Sequence, residues 1–114
     1  MQTLFKQNKY KKDMSERKLY SKFREKIFKA APNCFWYKIP DFILGGMRPF
    51  DGFLIIQGIP FAIEFKSKNG ILTKYQAYQL QDFILAGGEA LVFWEGKETL
   101  DEFVKKIMDI VERR

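Results

Sequence analysis

Asp51, Glu64 and Lys66 are the residues of this chain whose types and spacing are best suited to chemistry. They stand in the run R-P-F-D-G-F-L-I-I-Q-G-I-P-F-A-I-E-F-K, an acid followed after twelve residues by E-F-K. A tight turn at Gln57-Gly58 folds the run into a hairpin whose facing positions sum to about 115, which sets Asp51 opposite Glu64. Side chains alternate along a strand, so Glu64 and Lys66 share one face and Phe65 points the other way. Two carboxylates at the end of an apolar hairpin form a hard-oxygen site suited to Mg²⁺, with Mn²⁺ expected to substitute. The neighbouring ammonium is placed to orient a water or offset developing negative charge. That is the equipment for hydrolysing a phosphodiester.

An E-x-K on an exposed strand is in general a surface ion pair of little consequence. Here Ile55, Ile56, Phe61, Ile63 and Phe65 make both strands apolar on both faces, the pattern of central strands covered on two sides. Charges in such strands are costly unless they are paired or bind a metal. The chain has no histidine and one cysteine. This excludes Ser-His-Asp and Cys-His nucleophile systems, His-based metal centres and a structural zinc site. Neither G-x-x-x-x-G-K-[ST] nor G-x-G-x-x-G is present, so no nucleotide cofactor is expected. Hydrolytic chemistry must rest on carboxylates, lysine and an oxygen-bound cation.

The elements that must position these groups follow from periodicity. Residues 1–13 carry Lys6, Lys9, Lys11 and Lys12 without a clear period and read as a basic, flexible arm ahead of a single domain over 14–114. Ser15 is a candidate N-cap for a helix in which Leu19, Tyr20, Phe23 and Ile27 recur until Pro32-Asn33. Residues 34–38 are short and aromatic, hence a strand, and Cys34 reads as a small buried hydrophobe. An irregular connection over 39–50 precedes the hairpin of 51–66. Thr73 opens a helix to about Ala86, closed by Gly87-Gly88, with Gln76 at N3 of a capping box. Residues 90–94 form a further buried strand. Leu100, Phe103, Val104, Ile107, Ile110 and Val111 make one stripe of a C-terminal helix, read first as packing on the sheet. The expectation is an α/β fold with a mixed central sheet flanked by helices. At 114 residues and with twelve phenylalanines, one aromatic-rich core suffices.

D-x₁₂-E-x-K within an α-β-β-β-α-β order resembles the PD-(D/E)xK nuclease superfamily. The run D-G-F-L-I-I-Q-G-I-P-F-A-I-E-F-K, then K-Y-Q, then A-G-G-E-A-L-V-F, is similar to RecU-type Holliday-junction resolvases and virus-type replication-repair nucleases, over about residues 15–95. The resemblance implies a restriction-endonuclease-like core with a C-terminal helix. It implies that Asp51 and Glu64 ligate Mg²⁺ together with the backbone carbonyl of Phe65, and that Lys66 positions the attacking water or stabilises the developing charge. Asp41, in a literal Pro-Asp pair, competes with Asp51; the hairpin register favours Asp51. It also implies a first-helix glutamate near the site. Glu16 and Glu25 lie on opposite sides of that helix, and Glu16 is preferred because it begins the apolar stripe. Gln76 matches a site glutamine, and Lys38 in K-x-P is implied near a phosphate.

Arg48, Lys68 and Lys74, with Lys38 and the N-terminal lysines, suit DNA-backbone contact, consistent with a net charge of +6. Together these readings lead to a Mg²⁺-dependent, structure-selective endodeoxyribonuclease, foremost a Holliday-junction resolvase. The alternatives are a nicking, flap or exonuclease of the same chemistry, or a non-catalytic DNA-binding module. Paired nicks call for a homodimer, with Phe35 to Tyr37, the first helix and the Leu100 to Val111 stripe as available surfaces. No apolar run approaches spanning length, and the lone cysteine fits a reducing compartment, so a cytoplasmic protein without membrane contact is expected.

Overall fold

The computed structural model describes the backbone of residues 2–41 and 48–114, and side chains from Glu16 onward within those ranges. The elements run α1 (Gln2–Ala30), β1 (Phe35–Lys38), β2 (Gly52–Ile56), β3 (Ile59–Lys66), α2 (Lys74–Leu85), β4 (Glu89–Trp94) and α3 (Leu100–Arg113). The strands form one mixed sheet in the order β1-β2-β3-β4, antiparallel up to β3 and parallel between β3 and β4. This is an α/β fold with a C-terminal helix, in the order expected. Part of the expected irregular connection, residues 42–47, lies outside the described residues.

One boundary differs from expectation. The first helix begins at Gln2, not at Ser15, and Ser15 lies within it rather than capping it. No Pro or Gly occurs between Gln2 and Ala30, and the stretch is rich in Lys, with Gln, Glu, Arg and Leu beside it. Such residues keep a helix going without an apolar stripe, and the stripe is the only signal that periodicity detects.

The hairpin bends at Gln57 (φ 50°) and Gly58 (φ 79°), the two positive-φ positions of a type I′ turn. Its register pairs Gly52 with Ile63 and Ile56 with Ile59, so each pair sums to 115 as the turn placement requires.

The sheet has two unequal faces. On one, α1 and α3 contribute Phe23, Ile27, Phe103, Val104, Ile107 and Val111, which pack against Trp36, Leu54, Ile56, Phe61, Ile63, Phe65 and Phe93. The C-terminal stripe packs into this core, with Leu100 and Ile110 partly buried at its margin. Phe65 is the hub, with its ring edge-on to Tyr20 at 5.2 Å and Phe23 at 5.3 Å and within 6.3 Å of Trp36, Phe93 and Phe103. The residue between Glu64 and Lys66 thus anchors their strand from the opposite face. On the other face α2 covers a smaller cluster of Phe50, Ala62 and Leu80, with Phe53, Phe83, Ala90 and Val92 beside it.

Gly52 explains the Asp-Gly pair at the start of β2. A Cβ there would lie 2.0 Å from Cη2 of Trp36, whose ring crosses the strand.

Candidate active site

The site is built where the β2 ladder ends. Beyond the Gly52–Ile63 pair, Asp51 continues the register with its side chain: Oδ2 accepts the backbone N–H of Phe65 at 2.7 Å. Asp51 and Glu64 are 3% and 1% exposed, and they are the buried charged residues of the described chain. Glu64 lies on the central strand, on the α2 face with Ala62. Lys66, one step further, brings Nζ to 3.4 Å from Glu64 Oε2 and donates to Gln76 Oε1 at 2.7 Å.

Gln76 has two roles at once. Its Oε1 also accepts the N–H of Thr73 at 3.0 Å, while Thr73 Oγ1 accepts the N–H of Gln76 at 3.1 Å, which completes the expected capping box. The same oxygen therefore fixes the start of α2 and the ammonium of Lys66.

Electrostatics set the acids apart. Glu64 is pushed up to about 8, first by burial, then by its hydrogen bond and like charge with Asp51, with Lys66 opposing. Asp51 meets Arg48, whose Nη2 pairs with Asp51 Oδ1 while Nη1 donates to the Ile39 carbonyl at 3.0 Å and pairs with Asp41. Glu64 Oε1 has no hydrogen-bond partner among the described residues. A buried acid that holds its proton near neutral pH, with one oxygen unpartnered and a second carboxylate in contact, is a donor set that fits a hard divalent cation. The donors are a pair: among the described residues no group of three or more Cys, Asp or Glu is disposed to hold a metal.

The remaining expected residues fall as follows. Asp41 is exposed, with Arg48 and Lys38 as its partners, so Asp51 is the aspartate that meets Glu64. Lys38 is half-buried, its Nζ 4.6 Å above the Tyr20 ring and donating to the Ile39 carbonyl at 3.2 Å; burial first, then Arg48, lowers its pKa. Glu16 is exposed on α1, within electrostatic reach of Tyr20 and Lys38, whereas Glu25 lines a groove with Lys22, Lys29 and Asp101 between α1 and α3. Lys68 and Lys74 are exposed at the two ends of the segment joining Lys66 to Gln76.

Arg48 departs from its expected setting, since its guanidinium is engaged with two carboxylates rather than presented to solvent. Tyr20, which periodicity assigns only to the core, is also part of the site. It forms a wall, hydrogen-bonded to Arg48, with its hydroxyl pKa raised by burial and by the charge of Asp51. Its place four residues after Glu16, on the buried stripe, is the signal the sequence offers for this.

Family models, curated proteins and solved structures were each compared with this chain, and none matches it.

Proposed function

We propose that the chain is a Mg²⁺-dependent deoxyribonuclease that cuts branched DNA, foremost four-way junctions, by hydrolysis of a phosphodiester. The observation that supports it most is the contact of two nearly inaccessible carboxylates, Asp51 and Glu64, beside an ammonium that Gln76 holds in place. A structural ion pair has no need of two buried acids in contact across a central hairpin, because replacing such groups by apolar ones is often neutral or stabilising.

Asp51, Glu64 and the Phe65 carbonyl would hold the cation, which when bound supplies Lewis-acid polarisation of the phosphate and a more acidic water. Lys66 directs its positive charge at the oxygens where negative charge develops and holds the incoming water in line. Gln76 fixes the Lys66 rotamer, and Glu64 gives up its proton when the site is loaded. Lys38, Lys68 and Lys74, with Arg48 when released from Asp51, contact backbone phosphates without reading sequence. Two symmetric nicks call for a homodimer, which light scattering with and without junction DNA tests.

The deciding experiment incubates labelled four-way, flap, single-stranded and linear duplex DNAs with the protein in Mg²⁺ and in chelator. Cleavage requires Mg²⁺ and is lost in Asp51→Asn, Glu64→Gln and Lys66→Ala. Asp51→Asn keeps an oxygen for the Phe65 N–H, so loss of activity is not loss of fold. Undiminished cutting by Asp51→Asn or Glu64→Gln, or cutting in chelator, would refute the proposal. A strict monomer that cuts flaps but not junctions would move the substrate to flapped DNA.

A further inference from the structure

Alternation along β1 buries Trp36 beneath α1 and turns Phe35 and Tyr37 to the opposite face of the sheet, where they are 54% and 46% exposed. That face is the one that carries the site. Tyr37 pairs with Phe53, and Phe53 with Ala62, both in the cluster under α2, and Glu64 follows Ala62 on the same side. Among the described residues α2 packs chiefly over the β4 side of this face, and Phe35 and Tyr37 on β1 are left exposed.

The register also continues past the strand. The Ile39 N–H donates to the Asp51 carbonyl at 2.8 Å, which sets Ile39 opposite Asp51 and makes Tyr37 a diagonal neighbour, about 7–8 Å away. Phe35 lies two residues, roughly 7 Å, further along. Two rings thus lead away from the acid pair in single file, with Lys38 and Arg48 at the end nearest the acids.

The geometry points to a base-stacking platform: Phe35 and Tyr37 receive two unpaired bases of a single DNA strand whose backbone runs on to Asp51 and Glu64. Both exposed positions are aromatic, and every base offers a π-face, so such a platform is indifferent to sequence. Bases inside a duplex are already stacked and cannot lie on a sheet surface. The excess positive charge of the chain, with Lys38 at the site end of the strip, complements a phosphate backbone rather than an apolar protein partner. The inference rests on the proposed nuclease reading only for which bond is cut. Within that reading it favours flapped or single-strand-extended branches over a fully paired four-way junction, because it calls for at least two unpaired nucleotides beside the scissile phosphate.

The test is fluorescence anisotropy in chelator, so that binding is read without cleavage. The probes are labelled dT10, a blunt duplex, the same duplex with a ten-nucleotide single-stranded extension, and an abasic strand of equal charge. Phe35→Ala/Tyr37→Ala is expected to weaken dT10 and extended-duplex binding roughly tenfold per ring, with blunt-duplex and abasic-strand binding unchanged. Tyr37→Trp retains binding. Phe35→Leu/Tyr37→Leu keeps the apolar area but not the ring faces, and it serves if the double alanine variant is unfolded by circular dichroism. Equal losses on all four probes, or none, would overturn the inference. So would a shift from dimer to monomer with dT10 affinity intact, which would make the strip a self-association surface. Because no cleavage is scored, the platform can fail while the nuclease stands, and the reverse.

Discussion

Replacing Glu64 by Gln should change how stability depends on pH, and the size follows from the site. Burial and Asp51 raise the Glu64 pKa from 4.5 to about 8. Between those values the folded protein keeps a proton that the unfolded chain has lost, so stability falls as pH rises. It is fully present below about pH 4.5 and is lost through pH 8. A tenfold change in proton affinity is worth about 1.4 kcal/mol, which bounds the effect at about 5 kcal/mol; sharing of the proton with Asp51 reduces it to a few.

The chain has no histidine to titrate in this window, burial raises Cys34, and the capping contacts from Thr99 lower Glu102; Lys38, which burial lowers, is controlled for by repeating the profile in Lys38→Met. Urea denaturation of the wild type in chelator at pH 5, 6, 7 and 8 is expected to show a steady decline. Glu64→Gln is expected to be flat and, at pH 8, more stable, by roughly 10 °C in Tm. Mg²⁺ at pH 8 should stabilise the wild type and not the variant. A wild-type profile that is flat or rising, or a variant with the same slope, would show that Glu64 is ionised in the fold and that the account of the pair is wrong.

Three other outcomes are expected. Gln76→Ala removes both the cap and the anchor of Lys66, so it should cost about 1 kcal/mol of stability and about 10- to 100-fold in cleavage rate at unchanged DNA affinity. Gln76→Glu, which keeps the capping box, should restore the stability, as thermal melts would show. Gly52→Ala drives a methyl into the Trp36 ring and should destabilise by about 1–3 kcal/mol in urea titrations. DNA binding should weaken linearly in log–log plots against salt, with a slope of about −0.9 per duplex phosphate contacted and little dependence on sequence; a salt-independent affinity would contradict the lysine contacts.

Much of the site is legible in the sequence because a hairpin is a local object. Gln57-Gly58 fixes the turn and the turn fixes the register, so the meeting of Asp51 with Glu64 follows from counting. The capping box at Thr73 is readable for the same reason. That Gln76 holds Lys66 with the same oxygen is not, since it depends on where α2 docks. Contacts between distant segments stay hidden. Tyr20 and Lys38 come together across α1 and β1, and Arg48 turns onto Asp51 rather than outward, which no period in the sequence encodes. The early start of α1 escapes a periodicity reading because helix propensity without an apolar stripe leaves only a weak mark.

The central position of β3 divides the site into two halves of different permanence. Glu64 rides on a strand hydrogen-bonded on both sides, with Phe61 to Phe65 buried, a segment whose amides exchange with solvent only when the whole domain opens. Lys66 owes its position to the first turn of α2, a helix that buries Leu80 and leaves Tyr78, Ile84 and Leu85 exposed. Fraying of that turn breaks the cap and frees the ammonium, while the carboxylates stay where they are. Hydrogen exchange should therefore resolve two rates on the two sides of the Lys66–Gln76 contact, slow along β3 and fast in the first turn of α2. The acid half of the centre inherits the stability of the fold, and its cationic half that of a single helical turn.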